Sequence, residues 1–210
     1  MQSQELMKVM ITVLMCLLIW SSSLVFGQSI FEDRKIIILD AGHGGIDSGA
    51  VSNNGLQEKN VVLDIVRYMK NWNKNLLESK YDIYLTRNRD TLISLDDRTK
   101  LVKYIMPDVF ISLHCNHIND PKIKGVELYT YDNNELSLSY GKAILNALNL
   151  NLGFKTRNPK HANFQVLRET TGYCPAVLIE LGYLSNSDES DYLNNKQNRK
   201  ALALVILMAI

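Results

Sequence analysis

The sequence is short of covalent staples and of charge bias. Three cysteines in 210 residues cannot build a disulfide scaffold. Four prolines and 11 glycines exclude a collagenous or low-complexity chain. Basic and acidic side chains nearly cancel, 23 against 22, so the basic excess of a nucleic-acid binder is missing. No apolar run reaches the roughly 20 residues that a helix needs to span a bilayer. What is present is ordinary for a globular chain: 46% hydrophobic and 21% charged residues, in a length suited to one domain with its own core.

The apolar residues are concentrated at both ends. Residues 1–27 read as a secretory signal peptide. Lys8 charges its start, Val9 to Trp20 form a 12-residue hydrophobic stretch, and Val25 and Gly27 give a small-residue cleavage pattern before Gln28. The stretch is too short for a membrane anchor, and Cys16 stands in mid-run behind the bulky Met15, a poor position for lipidation. The expectation is removal on export, with residues 28–210 working outside the cytoplasm and away from the membrane. Cys115 and Cys174 then sit in a compartment that permits oxidation. At the other end, Ala201 to Ile210 follow a helix start at Asn186-Ser187-Asp188-Glu189 and read as a final helix packed on the core.

Between the ends, strands alternate with helices. Lys35 to Asp40 (KIIILD) is a buried strand that runs into the glycine-rich loop Ala41-Gly42-His43-Gly44-Gly45. A helix over about residues 56–72 buries Val62, Ile65, Met69 and Trp72. Extending that stripe back by four residues reaches Glu58, a carboxylate on an inward face, where a charge is costly unless paired or bound to a metal. Further strands are read at Tyr81 to Thr86, Asp108 to Leu113, Val126 to Tyr131 and Pro175 to Ile179. Further helices are read from Ser94 to Ile105, halted by Pro107, and from Leu136 to Leu150. Phe164 to Arg168 is ambiguous. The pattern predicts a single α/β domain, a twisted and mostly parallel sheet with helices on both faces.

Three strands lead to residues with metal-binding or acid-base side chains: His43, His114 and Glu180. Open α/β sheets form their sites outside the carboxyl ends of the strands, so these three can meet in one crevice, and Glu58 can reach it from the first helix. Two His and two Glu are enough for metal-assisted amide hydrolysis. A catalytic zinc takes His₂Glu and leaves a position for water, and the remaining carboxylate serves as general base. Spacing leaves open which Glu is ligand and which is base. Each residue also has a plain structural reading, as a loop His, a dipole-complementing Glu or an edge carboxylate. Their coincidence in one predicted crevice favours chemistry.

These segments carry a resemblance. Ile38 to Ala50 (ILDAGHGGIDSGA), Gln57-Glu58-Lys59-Asn60, Leu85-Thr86-Arg87, Leu95 to Arg98, Asp108 to Asn116 (DVFISLHCN), Gly125-Val126-Glu127, Phe164 to Arg168 (FQVLR) and Pro175 to Asn186 (PAVLIELGYLSN) occur in one order. The ordered series resembles the zinc-dependent N-acetylmuramoyl-L-alanine amidases of the Amidase_3 type, which are bacterial cell-wall hydrolases. The resemblance implies that His43, Glu58 and His114 bind one Zn²⁺, with Glu180 as the catalytic carboxylate and residues 28–210 as the catalytic domain. It implies peptidoglycan as substrate, cut at the amide between muramic acid and L-alanine, and the export signal places the work in the periplasm or outside the cell. An activator protein stays open.

Some positions depart from the family pattern. His117 stands where the family usually has a small residue, and reads as an exposed loop His, with a place near the metal, three residues beyond His114, as the alternative. Cys115 is expected to point away from His114 because strand side chains alternate. His161 reads as a surface residue in a polar turn, and Arg168 as either a surface residue or a contact for a substrate carboxylate. Asp132 to Asn163 spans only 32 residues and must include a helix, so an occluding insertion is not expected and the site should be open. Three other functions remain as alternatives: a zinc peptidase acting within the stem peptide, a non-catalytic peptidoglycan-binding module, and a cysteine hydrolase using Cys115 or Cys174.

Overall fold

The computed structural model describes residues 14–15 and 34–210, so the export-signal reading of residues 1–27 lies, but for two residues, outside the described residues. Six strands, β1 (Ile36–Ala41), β2 (Asp82–Leu85), β3 (Val109–Asn116), β4 (Glu127–Thr130), β5 (Lys160–His161) and β6 (Ala176–Tyr183), form one sheet in the order β2-β1-β3-β6-β4-β5. Strands β2, β1, β3 and β6 run parallel, and β4 turns antiparallel to β6 with β5 parallel to it. The helices are α1 (Glu58–Leu76), α2 (Leu95–Ile105), α3 (Glu135–Leu152), α4 (Gln165–Arg168), α5 (Ser187–Asn194) and α6 (Lys196–Met208).

The continuous apolar runs of β1, β3 and β6 follow from burial on both sheet faces. Alternate residues face opposite ways. Ile37, Leu39, Ile111, Leu113, Val177 and Ile179 share a core with residues of α1, α3 and α6. Ile38, Phe110, Ala176 and Leu178 face the other way, against Val102 of α2 and Val166 and Leu167 of α4. Helices therefore cover both faces, as the alternating sequence predicts. His114 and Glu180 continue the second face beyond Phe110, Ser112 and Leu178, which aims both side chains at one end of the sheet.

Local chemistry sets the ends of these elements. The Ser94 hydroxyl accepts from the Asp97 amide at 3.1 Å to cap α2, and Met106 closes the helix with a left-handed φ of 53° before Pro107. The C-terminal region differs from expectation in holding two helices instead of one. Asn195 breaks the path with an extended backbone, and its side chain accepts from the amides of Gln197 and Asn198 to start α6 afresh. The turn around His161 contributes the short edge strand β5, and the ambiguous Phe164–Arg168 stretch becomes α4.

Candidate active site

β1 ends at Ala41, and the chain turns away through Gly42 and His43. A Cβ on Gly42 would lie 2.3 Å from Cε1 of His114, so only glycine lets the loop pass the ring. His43 itself takes a left-handed φ of 57°, a conformation that needs support from outside the loop. Two buried arginines provide it. Arg87 donates from Nε to the Ala41 carbonyl at 2.9 Å, and from Nη2 to the Gly42 and Lys59 carbonyls at 2.7 and 2.8 Å. Arg98 donates to the Ala41 and His43 carbonyls, each at 2.7 Å, and ion-pairs with the buried Asp40. Three consecutive carbonyls of the loop are thus held by guanidinium groups.

The ring of His43 is aimed by Asp47, whose Oδ2 lies 2.8 Å from Nδ1. That leaves Nε2 pointing at Oε1 of Glu58, 3.1 Å away. His114, at the end of β3, brings Nδ1 to 2.9 Å from the same oxygen. The two rings stand edge to face with centroids 5.0 Å apart. Glu58 is fixed as firmly as the histidines: Cys115 N donates to Oε1 at 2.9 Å and Ala50 N to Oε2 at 2.8 Å. A Cβ on Gly49 would fall 2.4 Å from Oε2, so that position too requires glycine, with φ +63°. The donor atoms of His43, Glu58 and His114 all lie within 4.8 Å of one another, a cluster able to hold a metal.

The electrostatics follow from this crowding. Burial opposes the charge on Glu58, but hydrogen bonds from both histidines overcome it and hold the carboxyl at about 2. Burial likewise opposes the charge on His43, and Glu58 and Asp47 outweigh it, pushing the imidazole to about 9. Glu180 behaves in the opposite way. It sits beside His114 in the β3–β6 register. Burial raises its carboxyl to about 7, against the pull of His114 and with the help of Glu58 and Glu127. Its Oε2 is buried and has no hydrogen-bond partner. All four predicted residues therefore meet, three as a cluster and one as a carboxyl raised into the neutral range. His43, His114 and Glu180 line a cavity of about 500 Å³ whose lining also includes the apolar Leu92, Leu95, Phe164 and Val166.

The other candidates separate cleanly. His117 is exposed and outside the cluster, as expected of a loop residue. His161 is exposed on β5, with Nδ1 3.1 Å from the Thr130 hydroxyl. Arg168 is exposed and hydrogen-bonded to Asn163. Cys115 points into the core on the face opposite His114, and burial pushes its thiol well above the ordinary range. Burial pushes Cys174 up to about 12. Neither thiol is an activated nucleophile. Helix α3 packs on the core face opposite His114 and Glu180, so the Asp132–Asn163 segment sends no helix over the cavity. Sequence reasoning left Asp40, Asp47, Arg87 and Arg98 without roles. All four lie inside the motif stretches, but nothing in the spacing tells that the arginines hold the loop's carbonyls, that Asp40 pairs with Arg98 or that Asp47 meets the His43 ring.

A family model described as N-acetylmuramoyl-L-alanine amidase, Amidase_3, matches residues 37–210. The chain belongs to this amidase family. It is 39% identical over 167 residues to an endolysin of Bacillus phage SPP1, a match covering 76% of this chain and 58% of that protein. It is 34% identical over 175 residues to a probable cell wall amidase, LytH, of Staphylococcus epidermidis, covering 82% of this chain and 56% of the relative. The chain thus spans somewhat more than half the length of these curated relatives. Among solved structures, the catalytic domain of the amidase CwlV from Paenibacillus polymyxa superposes with a TM-score of 0.76 at 32% identity, over 84% of this chain and 96% of that one.

Proposed function

We propose that the protein is a zinc-dependent hydrolase of the cell envelope, cutting the amide between N-acetylmuramic acid and the L-alanine of peptidoglycan stem peptides. The observation that carries this reading is the buried, unpartnered Oε2 of Glu180 beside the His43–Glu58–His114 cluster. The donor set fits the metal: two imidazole nitrogens and one carboxylate form a catalytic zinc set with a fourth position for water. His43, Glu58 and His114 would hold the ion, which supplies a more acidic water and polarises the scissile carbonyl.

The chain's own residues supply the rest. Glu180 takes a proton from the attacking water at Oε2 and passes it to the leaving alanine nitrogen, a double role suited to a carboxyl near 7. Asp47 keeps the His43 ring turned so that Nε2 faces the cluster. The apolar wall of the cavity limits the water that competes for the substrate's polar groups. The family's cell-wall members and the signal-like residues 1–27 support export.

Mass spectrometry of peptidoglycan digested with the zinc-loaded protein tests the reading. Release of intact stem peptides with a free L-alanine amine is the expected result. Shortened stems still attached to sugar would point to a zinc peptidase and overturn it.

A further inference from the structure

The cluster around Glu127 enters the chemistry described so far only through the charge of Glu127 on Glu180. Glu127 opens β4 and stands opposite Glu180 in the β4–β6 register, so the two carboxylates occupy neighbouring strands about 5 Å apart. The Glu127 side chain is fully buried, and both of its oxygens are occupied. Lys160 donates to Oε1 at 2.6 Å, and Tyr129 and Asn116 donate to Oε2 at 2.6 and 3.2 Å. Arg157 stands 3.6 Å from Oε1, with its guanidinium over the Tyr183 ring.

At Glu127 itself two cations thus share one buried anion, a local surplus of one positive charge, with Glu180 opposite on β6 and Glu189 near Arg157 as the other acids. That surplus faces outward, since the Lys160 and Arg157 side chains are 46% and 29% exposed. Lys160 has one donor left over after Glu127 and the Tyr129 hydroxyl, and Arg157 spends only Nε, on the Lys124 carbonyl. The apolar cavity wall leads to this spot, because Phe164 packs edge to face on Tyr129 at 5.3 Å and Lys160 lies over the Tyr129 ring.

We propose that Lys160 and Arg157 form a carboxylate subsite beside the scissile bond, which recognises a free carboxylate on the stem peptide within a residue or two of the L-alanine. This rests on the amidase reading above and adds substrate selection to it. Glu127 is then a positioning residue, holding both cations at the rim of the crevice. An ammonium and a planar guanidinium side by side suit a carboxylate and offer nothing comparable to a carboxamide.

Calorimetric titration tests the subsite apart from cleavage. The zinc-loaded protein is titrated with the soluble tripeptide L-alanyl-γ-D-glutamyl-L-lysine, with its glutamyl α-carboxylate either free or amidated. The free acid is expected to bind about fivefold more tightly, the scale of one exposed ion pair. Lys160→Met and Arg157→Gln should each bring the ratio close to one, while Lys160→Arg keeps it. Equal affinity for the two peptides, no binding of either, or a ratio that survives both neutralising variants overturns the proposal. If Lys160→Met does not fold, Arg157→Gln carries the same reading. The matching muramoyl tripeptides report on the reaction separately. A carboxylate preference in binding without muramoyl–alanine cleavage would sink the amidase reading and leave the subsite standing.

Discussion

Arg98 donates a 2.7 Å hydrogen bond to the backbone carbonyl of His43, tying helix α2 to a left-handed residue of the loop that follows β1. The same guanidinium is anchored by the Asp40 carboxylate and the Ala41 carbonyl. Because the planar fork serves four acceptors at fixed angles, the Ile93 carbonyl from Nε included, a lysine ammonium cannot replace it. The geometry of His43 is therefore set from outside its own loop, by an arginine 55 residues further along.

Arg98→Lys should accordingly weaken metal binding more than it weakens the fold. Loss of an outer partner of a ligand typically lowers metal affinity about 10- to 100-fold. Zinc affinity measured against a competing chelator should fall within that range, while circular dichroism keeps the helical signal of the wild type. Unchanged zinc affinity in a folded Arg98→Lys protein would remove Arg98 from this role.

Gly42→Ala offers a cleaner steric test, because Gly42 has no left-handed backbone to strain. The added methyl would meet the His114 ring at 2.3 Å, and the ring must turn away from Glu58. Overpacking of this kind costs about 1–3 kcal/mol. The expected outcome is a modest drop in thermal stability with a larger loss of zinc affinity, both read on the same preparation. An alanine variant that binds zinc like the wild type would mean the loop has room that this geometry denies it.

Much of this was legible in the sequence, and the limits have physical causes. The apolar runs of β1, β3 and β6 announce a parallel sheet, and the helical stripe leading back to Glu58 announces an inward carboxylate. His43, Glu58, His114 and Glu180 therefore all stand out from the sequence pattern alone. Side-chain hydrogen bonds to backbone carbonyls leave no periodic trace, so the roles of Arg87 and Arg98 stayed hidden inside quoted motifs. The break at Asn195 was missed because an Asn can sit within a helix or cap a new one, and only the path of the chain decides. Strand β5 has two residues, too few for an alternation to be read.

Glu180→Gln separates metal binding from proton transfer. The substitution keeps the shape of the side chain and removes its titration. Elemental analysis should find the wild-type complement of zinc, while turnover on peptidoglycan falls by at least about 100-fold, the usual contribution of a positioned acid-base group. Glu58→Ala should lose the zinc itself. If Glu180→Gln loses the metal and Glu58→Ala keeps it, the roles of the two carboxylates are reversed.

Inhibitors distinguish the zinc reading from a thiol mechanism. Cys115 and Cys174 are buried, and both thiols stay protonated at neutral pH because burial raises them far above it. A chelator should abolish hydrolysis, with recovery on adding zinc, and a thiol alkylator applied to the native protein should leave the rate unchanged. Inactivation by alkylation with survival in chelator would reverse the assignment.

Acid should reach the fold through Asp40. Burial opposes its ionisation, but the Arg98 guanidinium and the hydroxyls of Thr86 and Ser112 outweigh burial and hold its carboxyl below the ordinary 3.8. A depressed folded pKa means that the unfolded chain binds this proton first as pH falls. The stabilising contribution is therefore complete above 3.8 and is lost as pH drops from there through the lower folded value. Asp40→Asn removes that dependence and leaves Arg98 buried without its charge partner, a loss of about 3–5 kcal/mol for a broken buried pair. Urea unfolding at a series of pH values should show a variant that is less stable at pH 7 and has a shallower decline below pH about 4. Parallel curves for the two proteins, offset by a constant, would mean that Asp40 does not titrate with unfolding and that its pairing with Arg98 is not what acid disrupts.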